Sequence, residues 1–368
     1  MSKIIDYLTV LPTDSLGGGA EQLLFNVFEY HISAGEQCLI IFLSKQNSKK
    51  WNILKNKARI IYLPFKNVYL GYIFIFPLLI YISLRYRIKH SFTSQTLINS
   101  LFGFLKRLGI LKKTKVIVRE SNSIFHLLHG NKLKMYSLAY KIGYPGVDLV
   151  ICQTEFMKAE LLKEAAWMKK KIKVIVLNNP VNMNLMIKKG TIITKDVPKD
   201  KYVIAAGRLS PVKGFDILIK SFKIFVREFP NLKLYILGTG NEYDNLNKLI
   251  KSENLEDKIK LVGFVDNVYP YFKNAELCVM SSRIEGFPNV LLQMMSQNTK
   301  VVSTKSAGGI DDISGIYTCE INDIEGLALT MQKCIQEETN FNRELFDTIL
   351  SERTITNFTS DILKNVDV

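Results

Sequence analysis

The chain has 368 residues, of which 47% are hydrophobic and 23% charged, a balance that excludes disorder as its main state. At roughly 100–200 residues per domain, this length calls for two domains. Its 49 Lys and Arg against 34 Asp and Glu give a formal charge of +15, and five cysteines without C-x-x-C spacing argue against a disulfide framework or a thiolate zinc site.

The charge is one-sided. Residues 1–180 hold 26 basic and 10 acidic side chains, whereas residues 181–368 hold 23 and 24. From residue 37 to residue 119 there are 16 basic residues and no acidic one. Such a segment is either a solvated lysine-rich surface or a face for an anionic partner, lipid headgroups or nucleic acid.

The opening MSKIIDYLTVLP turns strand-like at once and shows no small-residue cleavage site, so no secretory leader is expected. Short β-branched runs then alternate with longer amphipathic ones, the rhythm of parallel strands covered by helices. Strands are predicted at 4–11, 38–43, 60–63, 91–94, 116–119, 149–153 and 174–177. The second series is 202–206, 233–237, 260–262, 277–280, 300–303 and 316–318. Leu23, Leu24, Val27, Phe28 and His31 share one helical face, as do Ile217, Leu218, Ser221, Phe222 and Phe225. The apolar run 69–84 carries Pro77 and falls short of the ~20 residues that span a bilayer, so it reads as a buried or interfacial helix.

Asn178-Asn179-Pro180-Val181-Asn182 reads as the crossover between the two series, residues 195–200 as the entry to the second sheet, and the tail from 341 onward as one or two helices. The predicted class is α/β, with two doubly wound Rossmann-like domains facing each other across a cleft. The first is 1–180, the second 181–349, and a last helix at about 350–368 packs back on the first. Ligands of such sheets sit beyond the carboxyl ends of the strands, so the βα loops are where chemistry is sought.

Three loops stand out. The first, Asp14-Ser15-Leu16-Gly17-Gly18-Gly19-Ala20-Glu21, is a glycine-rich entry to a helix, suited to an anion but neither G-x-G-x-x-G nor a Walker loop. The second, Gly207-Arg208-Leu209-Ser210-Pro211-Val212-Lys213-Gly214, carries a guanidinium fork and a movable ammonium that can converge on a diphosphate. The third runs from Ser281 through Glu285, Gly286, Phe287, Pro288, Asn289 and Val290 to Gln293. A carboxylate beside the amides of Phe287, Asn289 and Val290 suits a polyhydroxyl ligand bearing an anion. Each loop alone also reads as an ordinary helix entry or surface pair.

Together, Gly-Gly-Gly-Ala-Glu, G-R-L-x-x-x-K-G and E-G-F-P-N-V-L-L-Q resemble the retaining glycosyltransferases of family 4, which have the GT-B fold. The resemblance extends to the Asn-Pro-Val crossover and to Val262-Gly263-Phe264. It implies that Gly18, Gly19, Gly263 and Phe264 lie in the nucleotide-sugar site and that Arg208 and Lys213 neutralise the donor diphosphate. Glu285 would hold donor-sugar hydroxyls, with Gly286, Phe287, Pro288, Asn289 and Val290 around it. The chain departs from the family twice. Gln293 stands where a second glutamate binds the ribose, which implies weaker nucleotide binding. Ser121 stands where many relatives have a histidine, which leaves Glu120 and Asn122 as the polar candidates near the transferred sugar.

The implied activity is transfer, with retention, of a hexose or N-acetylhexosamine from a nucleotide-diphosphate sugar, UDP ahead of GDP. The acceptor would be a lipid-linked glycan or oligosaccharide in bacterial O-antigen, capsule or other envelope polysaccharide synthesis. No D-x-D and no His/Asp cluster is present, so no metal or other cofactor is expected; His126 and His129 read as a surface pair. The expected location is cytoplasmic, peripheral on the inner face of the membrane, with an anionic lipid surface and not nucleic acid as partner; the oligomeric state stays open. The alternatives are a catalytically silent GT-B partner subunit and another GT-B enzyme such as a nucleotide-sugar epimerase.

Overall fold

The computed structural model describes residues 3–16, 18–121, 124–193 and 195–366. The chain divides into two compact units, Met1–Pro180 with Ile355–Val368, and Val181–Thr354.

Unit 1 holds β1 (Lys3–Leu11), β2 (Cys38–Phe42), β3 (Arg59–Tyr62), β4 (Tyr86–Thr93), β5 (Lys115–Arg119), β6 (Leu149–Cys152) and β7 (Lys173–Val176). They form one parallel sheet in the order β3-β2-β1-β4-β5-β6-β7. Helices cover both faces, which is why its strands are continuous apolar runs. On one face Leu8 and Val10 pack with Ile75, Leu79 and Phe102. On the other, Tyr7 and Leu11 pack with Val27 and Phe28 of α1 (Gly19–Ser33) and with Phe358, Ile362 and Val366 of the returning helix Ile355–Val366.

Strand β4 begins five residues before the predicted start. In Tyr-Arg-Ile-Lys-His only Ile88 is buried, and Arg87 and Lys89 point outward, so charge hid the two-residue period. The apolar run is α2 (Val68–Arg85), the crossover from the edge strand β3 to β4. Asn67 caps it by accepting from the Tyr69 amide at 2.9 Å. Gly71, Ile75, Leu79 and Ile82 form its buried stripe, and a Cβ at Gly71 would stand 2.1 Å from the Leu43 carbonyl oxygen. Each buried aliphatic contributes roughly 2 kcal/mol. The opposite stripe is exposed, so this helix is buried on one side only.

Unit 2 holds β8 (Tyr202–Ala206), β9 (Lys233–Leu237), β10 (Ile259–Gly263), β11 (Leu277–Met280), β12 (Val301–Thr304) and β13 (Tyr317–Cys319). All are parallel, in the order β10-β9-β8-β11-β12-β13. Val203 and Ala205 face the helices Phe215–Phe225 and Ile324–Gln336, whereas Ile204 faces the helices Asn289–Met295 and Asn342–Glu352. The class is therefore α/β with two Rossmann-like parallel sheets. All five cysteines are buried and unpaired.

Candidate functional site

In each sheet the chain order reverses at one point, between β1 and β4 in unit 1 and between β8 and β11 in unit 2. Loops leaving such a pair splay to opposite faces and open a crevice between them. In unit 2 these are the loops 207–214 and 281–288.

Their backbones lock together. Gly214 has φ 61°, and a Cβ there would lie 2.1 Å from the Ser281 carbonyl oxygen. The Arg283 amide donates to Val212 O at 2.7 Å, and Ser281 Oγ donates to Lys213 O at 3.0 Å. Arg283 adds a clamp. Its guanidinium makes two bonds to Asp216 at 2.8 and 2.7 Å, and reaches Pro211 O at 2.5 Å and Asn322 Oδ1 at 2.7 Å. Burial pushes the Asp216 carboxyl up, but the bonds and charge of Arg283 outweigh it and hold the carboxyl below its usual value.

On this frame Lys213 Nζ stands 2.5 Å from Glu285 Oε1, which also accepts from Ser282 Oγ at 2.8 Å. Both side chains are partly exposed, at 22% and 14%. Among the described residues Glu285 Oε2 takes no hydrogen bond, and the exposed guanidinium of Arg208 meets no carboxylate. An ammonium and a carboxylate thus meet at one strand-end crevice, and the loop that carries Lys213 also carries the exposed Arg208, a set of residue types that can meet a diphosphate and hydroxyls together.

The neighbouring residues follow from the same frame. Gly263, at φ 92°, ends β10 and accepts from the Gly238 amide at 2.7 Å, and Phe264 beside it is 66% exposed. Gly286, Phe287 and Pro288 are buried, and the Phe287 ring lies 4.9 Å from the Arg353 guanidinium. Asn289 and Val290 begin the helix Asn289–Met295, whose first turn has no side-chain cap. Gln293 is half-buried near Tyr269, whose hydroxyl pKa is raised by burial and pulled partly back by the Gln293 amide.

In unit 1 the first loop is anchored by Asp14, whose Oδ2 accepts from the amides of Asn47 (3.1 Å) and Ser48 (2.7 Å). Gly18 caps α1 without a side chain, so the first-turn amides at Gly19 have no side-chain acceptor there. The Glu21 carboxylate folds back over Gly18, within 2.2 Å of where a Cβ would be. Gly17 lies outside the described residues.

At the end of β5 the expectation for Glu120 is corrected. Glu120 is 3% exposed, and its two oxygens accept from the hydroxyls of Tyr140 and Tyr144. Burial raises its pKa against the lowering pull of those two bonds. With both oxygens committed, Glu120 braces the helix Gly130–Gly143 and offers nothing to a sugar. Arg119 is buried as well, donating to Ser94 Oγ at 3.1 Å and to Asn179 Oδ1, and burial pulls its pKa down to about 10. Gln153 Nε2 bonds the carbonyls of Glu120 (3.1 Å) and Ser121 (2.7 Å), and Ser121 Oγ bonds Ser94 O at 2.6 Å. Asn122, the other candidate, lies outside the described residues, as does the side chain of His126; His129 is exposed.

Sequence reasoning missed the Arg283–Asp216 clamp, Ser282 and the Gly238–Gly240 turn. Glycines directly after β9 were a legible signal: a Cβ at Gly240 would stand 2.1 Å from Leu209 O, and one at Gly238 1.9 Å from Gly207 O.

Comparison with known proteins bears on the same loops. Residues 191–345 match the family model "Glycosyl transferases group 1". An uncharacterized glycosyltransferase of Methanocaldococcus jannaschii is 31% identical over 217 residues, 55% of this chain and 51% of that protein. The Campylobacter jejuni N-acetylgalactosamine-N,N'-diacetylbacillosaminyl-diphospho-undecaprenol 4-alpha-N-acetylgalactosaminyltransferase is 29% identical over 206 residues, 55% of this chain and 54% of that protein. The lipopolysaccharide core biosynthesis glycosyltransferase LpsE of Rhizobium meliloti is 30% identical over 55% of this chain and 62% of its own length. The chain thus spans about half the length of the curated relatives it matches. Among solved structures, Anabaena HepE in complex with UDP and glucose superposes with a TM-score of 0.80 at 16% identity, over 99% of both chains. A Rickettsia africae glycosyltransferase superposes with a TM-score of 0.75 at 17% identity, over 98% and 97%. The family match lies within unit 2, and the fold shared along the whole chain with these solved structures is the GT-B fold.

Proposed function

We propose that the protein is a retaining hexosyltransferase of family 4 that takes a UDP-linked sugar and extends a lipid-linked glycan in bacterial envelope polysaccharide synthesis. The observation that carries this reading is the Arg208, Lys213 and Glu285 set on the two loops at the unit 2 switch point. Arg208 and Lys213 neutralise the diphosphate, and Glu285, held by Ser282, takes hydroxyls of the donor sugar.

The acceptor oxygen bonds to the anomeric carbon on the face from which the diphosphate departs. The donor C–O bond breaks, the electron pair leaves on the phosphate oxygen, and that oxygen takes the acceptor proton. No protein nucleophile is needed. The two cations supply the charge stabilisation, so the reaction runs without a metal. Support for a lipid-linked acceptor comes from the Campylobacter relative, whose name includes diphospho-undecaprenol, and from the basic segment 37–119. We place the protein on the cytoplasmic face of the membrane.

The test is thermal shift with UDP, GDP and their sugars, because a bound nucleotide stabilises by mass action, by about 2.7 kcal/mol at 100 times Kd. A shift with UDP-sugar and transfer that survives EDTA are expected. No shift with any nucleotide overturns the donor reading, and loss in EDTA restored by Mn²⁺ overturns metal independence.

A further inference from the structure

We propose that α2 is an in-plane membrane anchor whose outer face enters an anionic leaflet, with the pocket at its C-terminal end seating a phospholipid phosphate. The helix has two apolar stripes. Gly71, Ile75, Leu79 and Ile82 hold it on the sheet. The other stripe is Tyr69 (79% exposed), Leu70, Ile73 (67%), Phe74, Tyr81 and Leu84 (81%). These recur at helical spacing and turn to solvent. By length and composition α2 is the one helix among the described residues able to cross a membrane. It lies along the sheet instead, tied by its buried stripe, so only the outer stripe is offered.

The charge around it selects the occupant. No charged side chain stands between Val68 and Leu84, and both ends carry cations, Lys66 before and Arg85 and Arg87 after. Arg85 lies 4.6 Å over the Tyr81 ring, an arrangement that keeps a cation beside an amphipathic aromatic at a headgroup level. Beyond the helix end is an open pocket of about 470 Å³, lined by Leu84, Tyr86, Arg87, Gly109, Lys112 and Lys113. Arg87, Lys112 and Lys113 are exposed and, among the described residues, pair with no carboxylate. Three free cations beside an apolar stripe complement a phosphate over acyl chains. A second copy of this chain would set the same cations against each other, which disfavours self-association. Lys106 and Arg107 stand apart from this set. Lys106 pairs with Asp148 and donates to Thr114 O at 2.8 Å, and Arg107 donates to Ile142 O at 2.6 Å, so both hold the fold.

The proposal deepens the reading of a membrane-bound acceptor, and its test does not depend on transfer. The full chain is sedimented with phosphatidylglycerol or phosphatidylcholine vesicles. Strong, salt-sensitive binding to the first and weak binding to the second is expected. Each cation at an anionic surface is worth about fivefold, so Arg87→Gln/Lys112→Gln/Lys113→Gln should lower partitioning on the order of 100-fold. Ile73→Ser/Leu84→Ser should lower it at least tenfold on both lipids, and Tyr69→Ser repeats the test on the same face. All these positions are exposed, so thermal unfolding and the UDP shift should be unchanged. Wild-type partitioning by both multiple variants, or a dimer in sedimentation velocity that Ile73→Ser dissolves, overturns the proposal. If vesicle binding holds while no nucleotide gives a shift, the donor reading fails and this one stands.

Discussion

The two units share a parallel sheet with one order reversal, and they use the polar residues at that reversal in opposite ways. Unit 2 keeps Lys213, Glu285 and Arg208 within reach of solvent and spends a second tier, Arg283, Asp216 and Ser282, on holding them. Unit 1 draws Arg119 and Glu120 inside, where Ser94 and Asn179 take the two terminal nitrogens of Arg119 and Tyr140 and Tyr144 take both oxygens of Glu120. Sequence position at a strand end therefore does not decide whether a charged residue does chemistry. What decides is whether other side chains have already taken its polar atoms.

The largest test of this contrast is loss of the exposed set. Glu285→Ala and Lys213→Ala should each lower turnover by about 10²-fold or more, measured as nucleotide release with a sugar donor, with little change in thermal unfolding. Because the two side chains touch, the double variant should cost less than the two losses combined. Near-wild-type turnover in either single variant would remove the crevice from the donor site.

The mirror-image result is expected in unit 1. Glu120→Ala strands two buried tyrosine hydroxyls and should lower stability by about 2–3 kcal/mol, seen as a drop in Tm. Glu120→Gln keeps an acceptor and should cost less. The raised pKa sets the sign of the pH effect. Stability from this group is present below its unfolded value and is lost as pH rises through the folded one, so Glu120→Gln should flatten that limb relative to wild type. A fall in turnover at unchanged Tm would instead return Glu120 to the sugar.

The fold was almost wholly legible because parallel strands buried on both faces are apolar runs that need no partner to be recognised. All 13 predicted strands are present, and only β4 differed by more than two residues at one end, where Arg87 and Lys89 interrupt the pattern. The loops of unit 2 were legible for a different reason: glycine, proline and charge recur there at fixed spacing, as Gly214 and Gly286 show. What stayed hidden was pairing over distance. Nothing local in Arg283 announces Asp216, 67 positions away, and nothing in Glu120 announces Tyr140 and Tyr144, although their spacing of four puts both tyrosines on one helical face.

The Arg283 clamp offers a smaller effect. Arg283→Ala should weaken kcat/KM about tenfold by loosening both loops, and Arg283→Lys should recover only part, since it lacks the fork. In stability this half-exposed pair is worth about 1 kcal/mol at most. Because the Asp216 carboxyl is held low, that contribution is present above its ordinary value of 3.8 and is lost only as pH falls through the depressed one. The clamp is thus intact across the neutral range. A clamp contribution that titrates away near pH 6, read as the stability difference between wild type and Arg283→Ala, would contradict the geometry.

The smallest expected effect is at Gln293, and it asks how far unit 2 follows the family pattern. The side chain sits one turn into the helix that follows Glu285, near Tyr269. An amide offers a ribose hydroxyl a neutral bond, whereas a carboxylate offers a charge-assisted one, stronger by about 1 kcal/mol. Gln293→Glu should therefore tighten UDP about fivefold by calorimetry. The Tyr269 hydroxyl, donating, can satisfy the new carboxylate while the ribose is absent, which limits the cost of its burial. Cations on the loop 207–214 act on the phosphates and not on the ribose, so the gain should be equal for UDP and GDP. A gain confined to one nucleotide would mean that the position reads the base, and no gain at all would mean that the ribose is held elsewhere and Tyr269 is the true partner of residue 293.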